Sequence, residues 1–307
     1  MQIYLPIAEQ SIDVILLLGV GGLVGVVSGL FGVGGGFLAT PILIFLGISP
    51  AVAVATGATQ VVASSVSGAM TQWRANHVDV KMGVVMLIGG FAGSSAGVIA
   101  FGILSRLGQI DLVITLSYVG FLGVTGALML VESGLSLFRA RRPGGAQPGR
   151  LHTHTWIHNL PFKMKFRRSK LYISAFVPLA VGVFSGLLSA IMGVGGGFII
   201  VPAMIYLIGM PTVVAVGTSL FEVVFIAANV SFLQAVNNHT VDLVLALVLI
   251  TGGVVGAQLG SRMGSRLRGA ELRALLALLV IGVAGKLLFD LVVPPEDLFS
   301  LSAPVLP

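Results

Sequence analysis

The sequence predicts an all-α polytopic membrane protein with two inverted-topology repeats of about five hydrophobic segments each. In each repeat, a glycine-rich break is expected near the midplane of the membrane. Three observations lead to this fold class: the composition is very apolar, one glycine-rich motif occurs twice, and basic residues concentrate in one central segment. The composition indicates a membrane environment, the repeated motif indicates a duplicated unit, and the basic residues indicate the orientation of the chain in the membrane.

The composition places the chain in a membrane. Of its 307 residues, 56% are hydrophobic and 9% are charged, and the mean hydropathy is +1.05. A soluble domain carries roughly 25% charged residues. The chain contains no cysteine, which excludes disulfides and cysteine-ligated metals. Its high pI does not indicate nucleic-acid binding, because 9 of the 17 Lys and Arg residues lie between Arg139 and Lys170.

A duplicated segment defines the domain organisation. Residues 32–37, with the sequence GVGGGF, recur as residues 193–198 at an offset of 161 positions. The glycines of residues 89–97 recur in residues 252–260 at an offset of 163. A repeated hydrophobic unit with a glycine break is typical of secondary transporters. The predicted units are a first transmembrane repeat (1–138), a basic cytoplasmic linker (139–170) and a second transmembrane repeat (171–307).

Ten apolar segments are predicted, five in each repeat. A helix that spans the membrane needs ~20 apolar residues. The second segment of each repeat is shorter, so it either includes the glycine run or does not cross fully. The predicted segments are 12–31, 36–48, 51–72, 80–103 and 110–132, followed by 171–191, 197–209, 212–235, 241–262 and 271–292.

The basic residues predict the orientation. Cytoplasmic loops carry an excess of Lys and Arg, which places the central linker in the cytoplasm and both termini outside. Five crossings per repeat then give the two copies opposite orientations, and inverted repeats provide conformations open to opposite sides. Within the linker, apolar and basic residues alternate over residues 162–167, which predicts an interfacial segment. We expect a multi-pass protein of the inner (plasma) membrane.

The two glycine runs are predicted to unwind the backbone. Each glycine costs a helix ~1 kcal/mol relative to alanine. Unwound backbone at membrane depth must be buried in protein or line a cavity. The helix that starts after each break offers free N–H groups and a positive dipole end, which suits an anion. A tight interhelical turn without a ligand is the alternative. The predicted substrate-binding residues are Gly34, Gly35, Gly36, Phe37, Gly195, Gly196, Gly197 and Phe198.

Polar residues follow each break on the third segment of its repeat. Thr56 and Gln60 are four positions apart, as are Thr218 and Glu222, so each pair shares a helix face. Such groups either bind substrate oxygens or form interhelical hydrogen bonds, which average ~0.6 kcal/mol in membranes. The side chains predicted to bind substrate are those of Thr56, Thr59, Gln60, Thr218 and Ser219.

Glu222 is predicted to lie near mid-depth in the membrane. An unpaired carboxylate there is costly, so it should be protonated, paired or facing water. Glu222 is therefore either a proton-coupling group or a structural hydrogen-bonding group. Arg74 and Gln72 close the inner end of the third segment. They either attract anions in a vestibule or anchor the helix at the interface.

These motifs resemble the TauE/SafE sulfite exporter family. The resemblance covers nearly all of the chain outside residues 139–170 and the C-terminal tail. It implies transport of sulfite, sulfonates or related sulfur-containing anions, often outward, although uptake and other substrates are also proposed within the family. The residues that carry it are the doubled GVGGGF motif, Thr40-Pro41, Val201-Pro202, residues 55–59, residues 216–221, and the turns that contain His77-Val78-Asp79 and His239-Thr240-Val241-Asp242.

The sequence therefore predicts a secondary transporter that exports a small sulfur-containing anion by alternating access, with protons as the candidate coupling ion. An anion channel, or an importer of a different small organic anion, is the alternative. The expected partners are the anionic substrate and the lipid bilayer, without nucleic acid, while the oligomeric state is left open. We expect no enzyme, because no workable constellation of catalytic side chains stands out. No cofactor or metal is expected, and His152, His154 and His158 lack a full ligand set.

Overall fold

A computed structural model of the chain describes residues 2–31, 36–140, 162–166, 168–169, 171–264 and 269–293. In these residues the fold consists of ten α-helices, two short π-helical segments and two β-hairpins. The first repeat contains β1 (Gln2–Leu5), β2 (Gln10–Asp13), α1 (Val14–Phe31), α2 (Gly36–Phe45), α3 (Pro50–Arg74), α4 (Val80–Arg106) and α5 (Ile110–Ala140). The second contains β3 (Lys163–Phe166), β4 (Leu171–Ser174), α6 (Phe176–Met192), α7 (Gly197–Pro202), α8 (Thr212–Leu233), α9 (Leu243–Gly264) and α10 (Gly269–Val292).

The helices confirm the predicted fold class of an all-α polytopic membrane protein. Six helices in the described residues are long and apolar enough to cross a membrane. Four shorter apolar helices occupy the positions of the remaining predicted segments, namely α1, α2, α6 and α7 with its π-helical extension to Ile208. The short second segment of each repeat therefore consists of a helix that begins at the last glycine of each run.

Two β-hairpins are present that the sequence analysis did not predict. β1 pairs antiparallel with β2, and β3 pairs antiparallel with β4. The strand Lys163–Phe166 lies where apolar and basic residues alternate, in the stretch for which we expected an interfacial segment. Alternation with a period of two is the pattern of a strand. Each repeat thus begins with a hairpin that directly precedes its first helix.

Each hairpin is bound to an aspartate of the other repeat. Asp79 caps the start of α4, and its Oδ2 atom accepts hydrogen bonds from Ser169 N at 3.0 Å and Ser169 Oγ at 2.7 Å. Asp242 directly precedes α9, and its Oδ2 atom accepts a hydrogen bond from Ile7 N at 2.9 Å. The β3–β4 turn is therefore tied to the first repeat, and the β1–β2 turn is tied to the second.

The main chains of the same two aspartates bind threonines of the opposite repeat. Asp79 N donates to Thr218 Oγ1 at 3.0 Å, and Asp242 N donates to Thr56 Oγ1 at 3.1 Å. Both contacts are buried. The aspartates at the starts of α4 and α9 are thus bound by equivalent groups of the opposite repeat, through their backbone N–H groups and through their carboxylates.

Close helix packing also crosses between the repeats. α1 packs against α9, α4 against α6, α3 against α8, and α5 against α10. A Cβ atom added at Gly93 would clash with the carbonyl oxygen of Val183, and one added at Gly256 would clash with that of Gly22. Small residues allow membrane helices to approach to backbone contact. The two glycine series therefore serve equivalent interfaces.

The equivalent helices α4 and α9 begin at opposite ends of the molecule. α4 starts beside the β3–β4 turn and ends near the start of α9, because a Cβ atom at Gly102 would lie 2.8 Å from Oδ1 of Asn238. Antiparallel placement of equivalent helices is what inverted repeats require. The orientation of the repeats relative to the membrane stays a prediction.

Replacing either aspartate by alanine should destabilise the protein. Hydrogen bonds to charged groups contribute about 1.5–3 kcal/mol each, and the buried donors of the hairpin turn would be left without a partner. We expect Asp79→Ala and Asp242→Ala each to lower the thermal midpoint of the detergent-solubilised protein by several degrees.

Asp290→Ala is the matched control, because the Asp290 carboxylate pairs with exposed Lys286 near the end of α10. Exposed ion pairs contribute little to stability. Equal midpoints for all three variants would contradict the proposed role of the aspartates in holding the repeats together.

Candidate functional site

The starts of α2 and α7 meet in the protein interior. The rings of Phe37 and Phe198 stack with their centroids 5.0 Å apart and their planes inclined by 21°. Both residues are buried, with exposed fractions of 1% and 4%. The residues that directly follow the two glycine runs are therefore in contact. Of the predicted binding residues, Gly34 and Gly35 lie outside the described residues.

The second glycine run breaks the helix. α6 ends at Met192 and α7 begins at Gly197. Gly193, Gly195 and Gly196 have φ angles of +69°, +72° and +80°, in the left-handed region that side chains disfavour. These residues therefore require glycine on conformational grounds alone.

Two side chains of the first repeat hold this break. The carbonyl oxygen of Met192 accepts a hydrogen bond from the Tyr118 hydroxyl at 2.5 Å and a second, weaker one from Thr40 Oγ1 at 3.4 Å. The last carbonyl groups of a helix have no intrahelical partner, so a buried helix end needs such donors. Tyr118 is not among the residues predicted from the sequence. A lone tyrosine in the apolar helix α5 was the available signal, because a buried tyrosine hydroxyl usually has a partner.

The hydroxyl groups predicted on α3 and α8 all have protein partners. Thr56 and Thr218 accept the aspartate amides of the opposite repeat, as described above. Thr59 Oγ1 lies 2.6 Å from Ser231 Oγ, and Ser219 Oγ donates to the Val216 carbonyl at 2.9 Å. The contacts of Thr56, Thr59 and Thr218 join different segments, as the alternative of interhelical hydrogen bonds requires, whereas Ser219 bonds within α8. A role of these hydroxyls in substrate binding stays a proposal.

Gln60 and Glu222 differ from the other predicted polar residues. Their exposed fractions are 2% and 0%, and within the described residues no polar atom of either side chain has a hydrogen-bond partner. Buried polar groups in proteins are nearly always paired, and leaving one unpaired costs about 1–3 kcal/mol. The hydroxyl groups of Ser65 and Ser189 are also buried without a partner in the described residues, so four such side chains indicate places where water or a ligand binds.

Gln60 and Glu222 occupy equivalent positions in the repeats. Gln60 follows Thr56 by one helical turn, and Glu222 follows Thr218 in the same way. A Cβ atom at Gly253 would lie 3.1 Å from Gln60 Nε2, and one at Gly90 would lie 3.6 Å from Glu222 Oε1. Each side chain thus lies near a glycine of α4 or α9, and at Gly90 the Ile226 side chain also packs against the glycine, so that its Cδ1 atom would clash with the added Cβ atom.

Ser185 is the polar neighbour of Glu222. Its hydroxyl lies beside the carboxyl group, but it donates to the Gly182 carbonyl oxygen of its own helix at 2.9 Å. The carboxyl group therefore has no donor in the described residues that is directed at it, and no basic side chain is paired with it there.

A polar cavity lies at the C-terminal end of α3. Its volume is about 150 Å³, and no charged residue is among its described lining residues. Ser64, Ser67 and Thr71 continue, at helical spacing, the face of α3 that carries Gln60. The face therefore leads from the unpaired amide to the cavity. The lining residues are Ser28, Gly29, Ser64, Ser67, Gly68, Thr71, Gln72, Leu220, Ala257 and Gln258.

The structure separates the two predicted vestibule residues. Gln72 lines the cavity, and its Oε1 atom lies 2.9 Å from Nδ1 of His77. Arg74 is exposed at the end of α3 and does not line the cavity. The described residues contain no group of three His, Cys, Asp or Glu side chains that could hold a metal. His152, His154 and His158 lie outside the described residues.

Membrane-spanning helices, a helix break in the interior and unpaired buried polar groups define the class of a membrane transporter. Residues 17–287 match the model of the family described as "Sulfite exporter TauE/SafE", and the chain belongs to this family. It is therefore a multi-pass membrane transporter, and the predicted resemblance is confirmed.

Curated relatives carry the same general description. A "Probable membrane transporter protein" of Xylella fastidiosa is 31% identical over 248 residues, which cover 79% of this chain and 81% of the relative. The "Probable membrane transporter protein YunE" of Bacillus subtilis is 28% identical over 247 residues, covering 78% and 84%. No solved structure matches the chain.

Substituting Gly196 by valine should stop transport while leaving the protein in the membrane. The left-handed backbone costs an L-residue about 1–2 kcal/mol, and a Cβ atom at Gly196 would lie 3.1 Å from Ile200 Cδ1. We expect flux to fall to background at near-normal abundance, measured by proteoliposome transport and by fluorescence-detected size-exclusion chromatography.

Gly209→Val is the matched control for this substitution. Gly209 has a φ angle of +82°, and no described atom lies within 4 Å of a Cβ atom built there. This variant carries the same backbone strain away from the helix break. Normal flux in Gly196→Val, or equal loss in both variants, would contradict a specific role of the break.

Proposed function

We propose that the protein exports a small sulfur-containing anion, such as sulfite or an organosulfonate, by alternating access. The observation that carries this proposal is the pair of buried, unpaired side chains Gln60 and Glu222 at equivalent positions of the two repeats. The family description supports the substrate class. Alternating access is supported by the equivalent contacts between repeats, because inverted repeats can adopt two related conformations.

The anion is held by uncharged donors in this proposal. The Gln60 amide offers two N–H groups to substrate oxygens. The glycine-led starts of α2 and α7, from Gly36 and Gly197, contribute backbone N–H groups and the positive ends of their dipoles. The hydroxyl groups of Thr56, Thr59, Thr218 and Ser219 have protein partners in the described structure. In this proposal they exchange those partners for the anion and orient it. Donors without a formal charge bind an anion without retaining it too strongly for release.

Glu222 carries the coupling proton in this proposal. A carboxylate without a partner at membrane depth is costly, and protonation removes the charge. The protonated group can donate a hydrogen bond to the anion, which links proton binding to substrate binding. Because the equivalent residue of the first repeat is Gln60, the coupling site exists once per chain.

The basic residues support an orientation with the β3–β4 hairpin in the cytoplasm. Lys81 Nζ donates to the Lys165 carbonyl at 3.4 Å, and Arg168 Nη1 donates to the Asn76 carbonyl at 2.8 Å, so basic residues cluster around this hairpin. The hairpin at the opposite end carries Glu9 and Asp13. Positive charge marks the cytoplasmic side, which in this proposal is the inner face of the plasma membrane.

Transport into proteoliposomes tests the function. Labelled sulfite, sulfoacetate, thiosulfate and sulfate should be compared with and without a proton gradient. Protein-free liposomes and the Gly196→Val variant serve as controls. We expect saturable flux of at least one of these anions. Absence of flux for all four would contradict the substrate class, and unitary currents at channel-like rates would contradict the carrier mechanism.

The Glu222→Gln variant tests the proton site. The amide has the shape of the protonated acid but cannot release a proton. One proton per anion across a gradient of one pH unit supports about tenfold accumulation, since one pH unit corresponds to about 1.36 kcal/mol. We expect Glu222→Gln to abolish this accumulation and to retain anion exchange without a gradient.

Glu9→Gln is the control, because Glu9 is an exposed carboxylate on the β1–β2 turn. It should accumulate substrate as the unmodified protein does. Gradient-driven accumulation that persists in Glu222→Gln would place the coupling proton elsewhere.

A further inference from the structure

We propose that the polar cavity is the open half of the translocation path, and that a buried hydrophobic cluster formed by α3, α4, α6 and α8 is its closed counterpart. The inference rests on the proposed transport function and assigns both access routes to named residues. The cluster, called here the aliphatic seal, consists of Ala58, Leu87, Val98, Ala190, Ile226 and Val230, with Phe221 and Leu233 packed against it.

The correspondence between cavity and seal follows from the repeat. At the offsets that align the equivalent helices, five of the ten cavity-lining residues have counterparts in the seal or packed against it. The pairs are Gly29 with Ala190, Ser64 with Ile226, Gly68 with Val230, Thr71 with Leu233, and Ala58 with Leu220. In four of these pairs the residue of the seal is larger or more apolar than its counterpart in the cavity, and in the fifth the cavity residue Leu220 is the larger. The other five cavity-lining residues have polar counterparts outside the seal, namely Ser189, Asn229, Gln234, Ser94 and Ser95. Half of the positions that line the open polar space thus correspond to a packed apolar contact.

Burial follows the same division. Ile226, Val230 and Ala190 each have an exposed fraction of 0%. Gly29 and Gly68, the counterparts of Ala190 and Val230, are half-buried, whereas Ser64, the counterpart of Ile226, has an exposed fraction of 9%. Leu233 is half-buried and its counterpart Thr71 is exposed. The residues of the cavity are therefore the more accessible member of each of these pairs.

Polar side chains complete the closure in the second repeat. Asn229 Nδ2 donates to Ser94 Oγ at 2.8 Å, which links α8 to α4. At the cavity the residues equivalent to Asn229 and Ser94 are Ser67 on α3 and Ala257 on α9, and alanine has no side-chain group to form this bond. The hydrogen bond between Asn229 and Ser94 thus has no equivalent at the cavity.

Gln234 contributes a second link on the closed side. It is fully buried beyond the aliphatic seal, and its Nε2 atom donates to the Ala190 carbonyl oxygen at 3.4 Å. The equivalent residue of the first repeat, Gln72, lines the open cavity.

The two routes therefore differ in their chemistry. A hydroxyl-lined cavity admits water and a hydrated anion, whereas an apolar constriction closes a path by excluding water. The cavity opens toward the end of α3 near the β3–β4 hairpin, and the seal lies toward the end of α8 near the β1–β2 hairpin. The described conformation is thus accessible from the hairpin face that carries the basic residues.

Cysteine accessibility tests this assignment without background, because the chain contains no cysteine. Single variants Ser67→Cys and Gly68→Cys should be compared with their counterparts Asn229→Cys and Val230→Cys. The probe is the anionic, membrane-impermeant reagent methanethiosulfonate ethylsulfonate, applied to either face of sealed vesicles. We expect Ser67→Cys and Gly68→Cys to react from the face of the β3–β4 hairpin. The labelling rates of Asn229→Cys and Val230→Cys should be at least about tenfold lower from either face, because an apolar closure excludes water.

Exchanging residue types between the repeats provides a second measurement. Ile226→Ser with Val230→Gly gives the seal the side chains found in the cavity. In this background, Asn229→Cys should become reactive from the face of the β1–β2 hairpin. Ser64→Ile with Gly68→Val should slow the reaction of Ser67→Cys.

Two results would overturn the inference. One is reaction of Val230→Cys as fast as Gly68→Cys, and the other is reaction of Ser67→Cys from the opposite face or from neither. The measurement needs no substrate, so it is independent of the transport assay. If the labelling is as predicted but no tested anion is transported, the proposed function is contradicted and the assigned access routes are supported. If an anion is transported but the labelling is contrary, the access routes are contradicted and the proposed function is supported.

Discussion

The structure depends on the need to satisfy every backbone polar group within the protein, because lipid offers no hydrogen-bond partners. A helix that breaks or begins inside the membrane exposes such groups, and here they find partners in the opposite repeat. The Met192 carbonyl at the end of α6 is bound by Tyr118 and Thr40. The starts of α4 and α9 are bound through Asp79 and Asp242. The first N–H groups of α4 and α9 are capped within each repeat, since Met82 N donates to Asp79 and Leu245 N to Asp242. The N–H groups of the aspartates themselves are satisfied only by threonines of the opposite repeat.

Equivalent framework contacts make the differences between the repeats informative. The aspartates, the threonines that bind them and the glycine series recur with nearly the same geometry. Against this common framework, Glu222 replaces Gln60 and an aliphatic cluster replaces a polar cavity. These are places where two otherwise equivalent halves differ in chemistry. In the proposed transport cycle, such departures from symmetry set the accessible side and the site of proton binding, while the framework permits the exchange between states.

Pattern recognition predicted several parts of the candidate site, and geometry supplied the rest. The doubled glycine run predicted the two helix starts at Phe37 and Phe198, but the stacking of their rings is visible only in the structure. Helical spacing placed Thr56 and Gln60 on one face, but spacing could not show that one is bonded to Asp242 while the other has no partner among the described residues. Tyr118 and the two hairpins were missed, since their role lies in contacts between segments far apart in sequence.

The sequence by itself determined the membrane environment, the all-α fold class and the resemblance to the family, because composition, spacing and local motifs carry this information. It also showed which residues are chemically unusual for a membrane, above all Glu222. Only the tertiary structure decided which buried polar groups are paired, which helices of opposite repeats pack together and where the polar cavity lies. These properties depend on distances between side chains from different segments, and two residues of identical type and spacing can have opposite surroundings once the repeats have packed together.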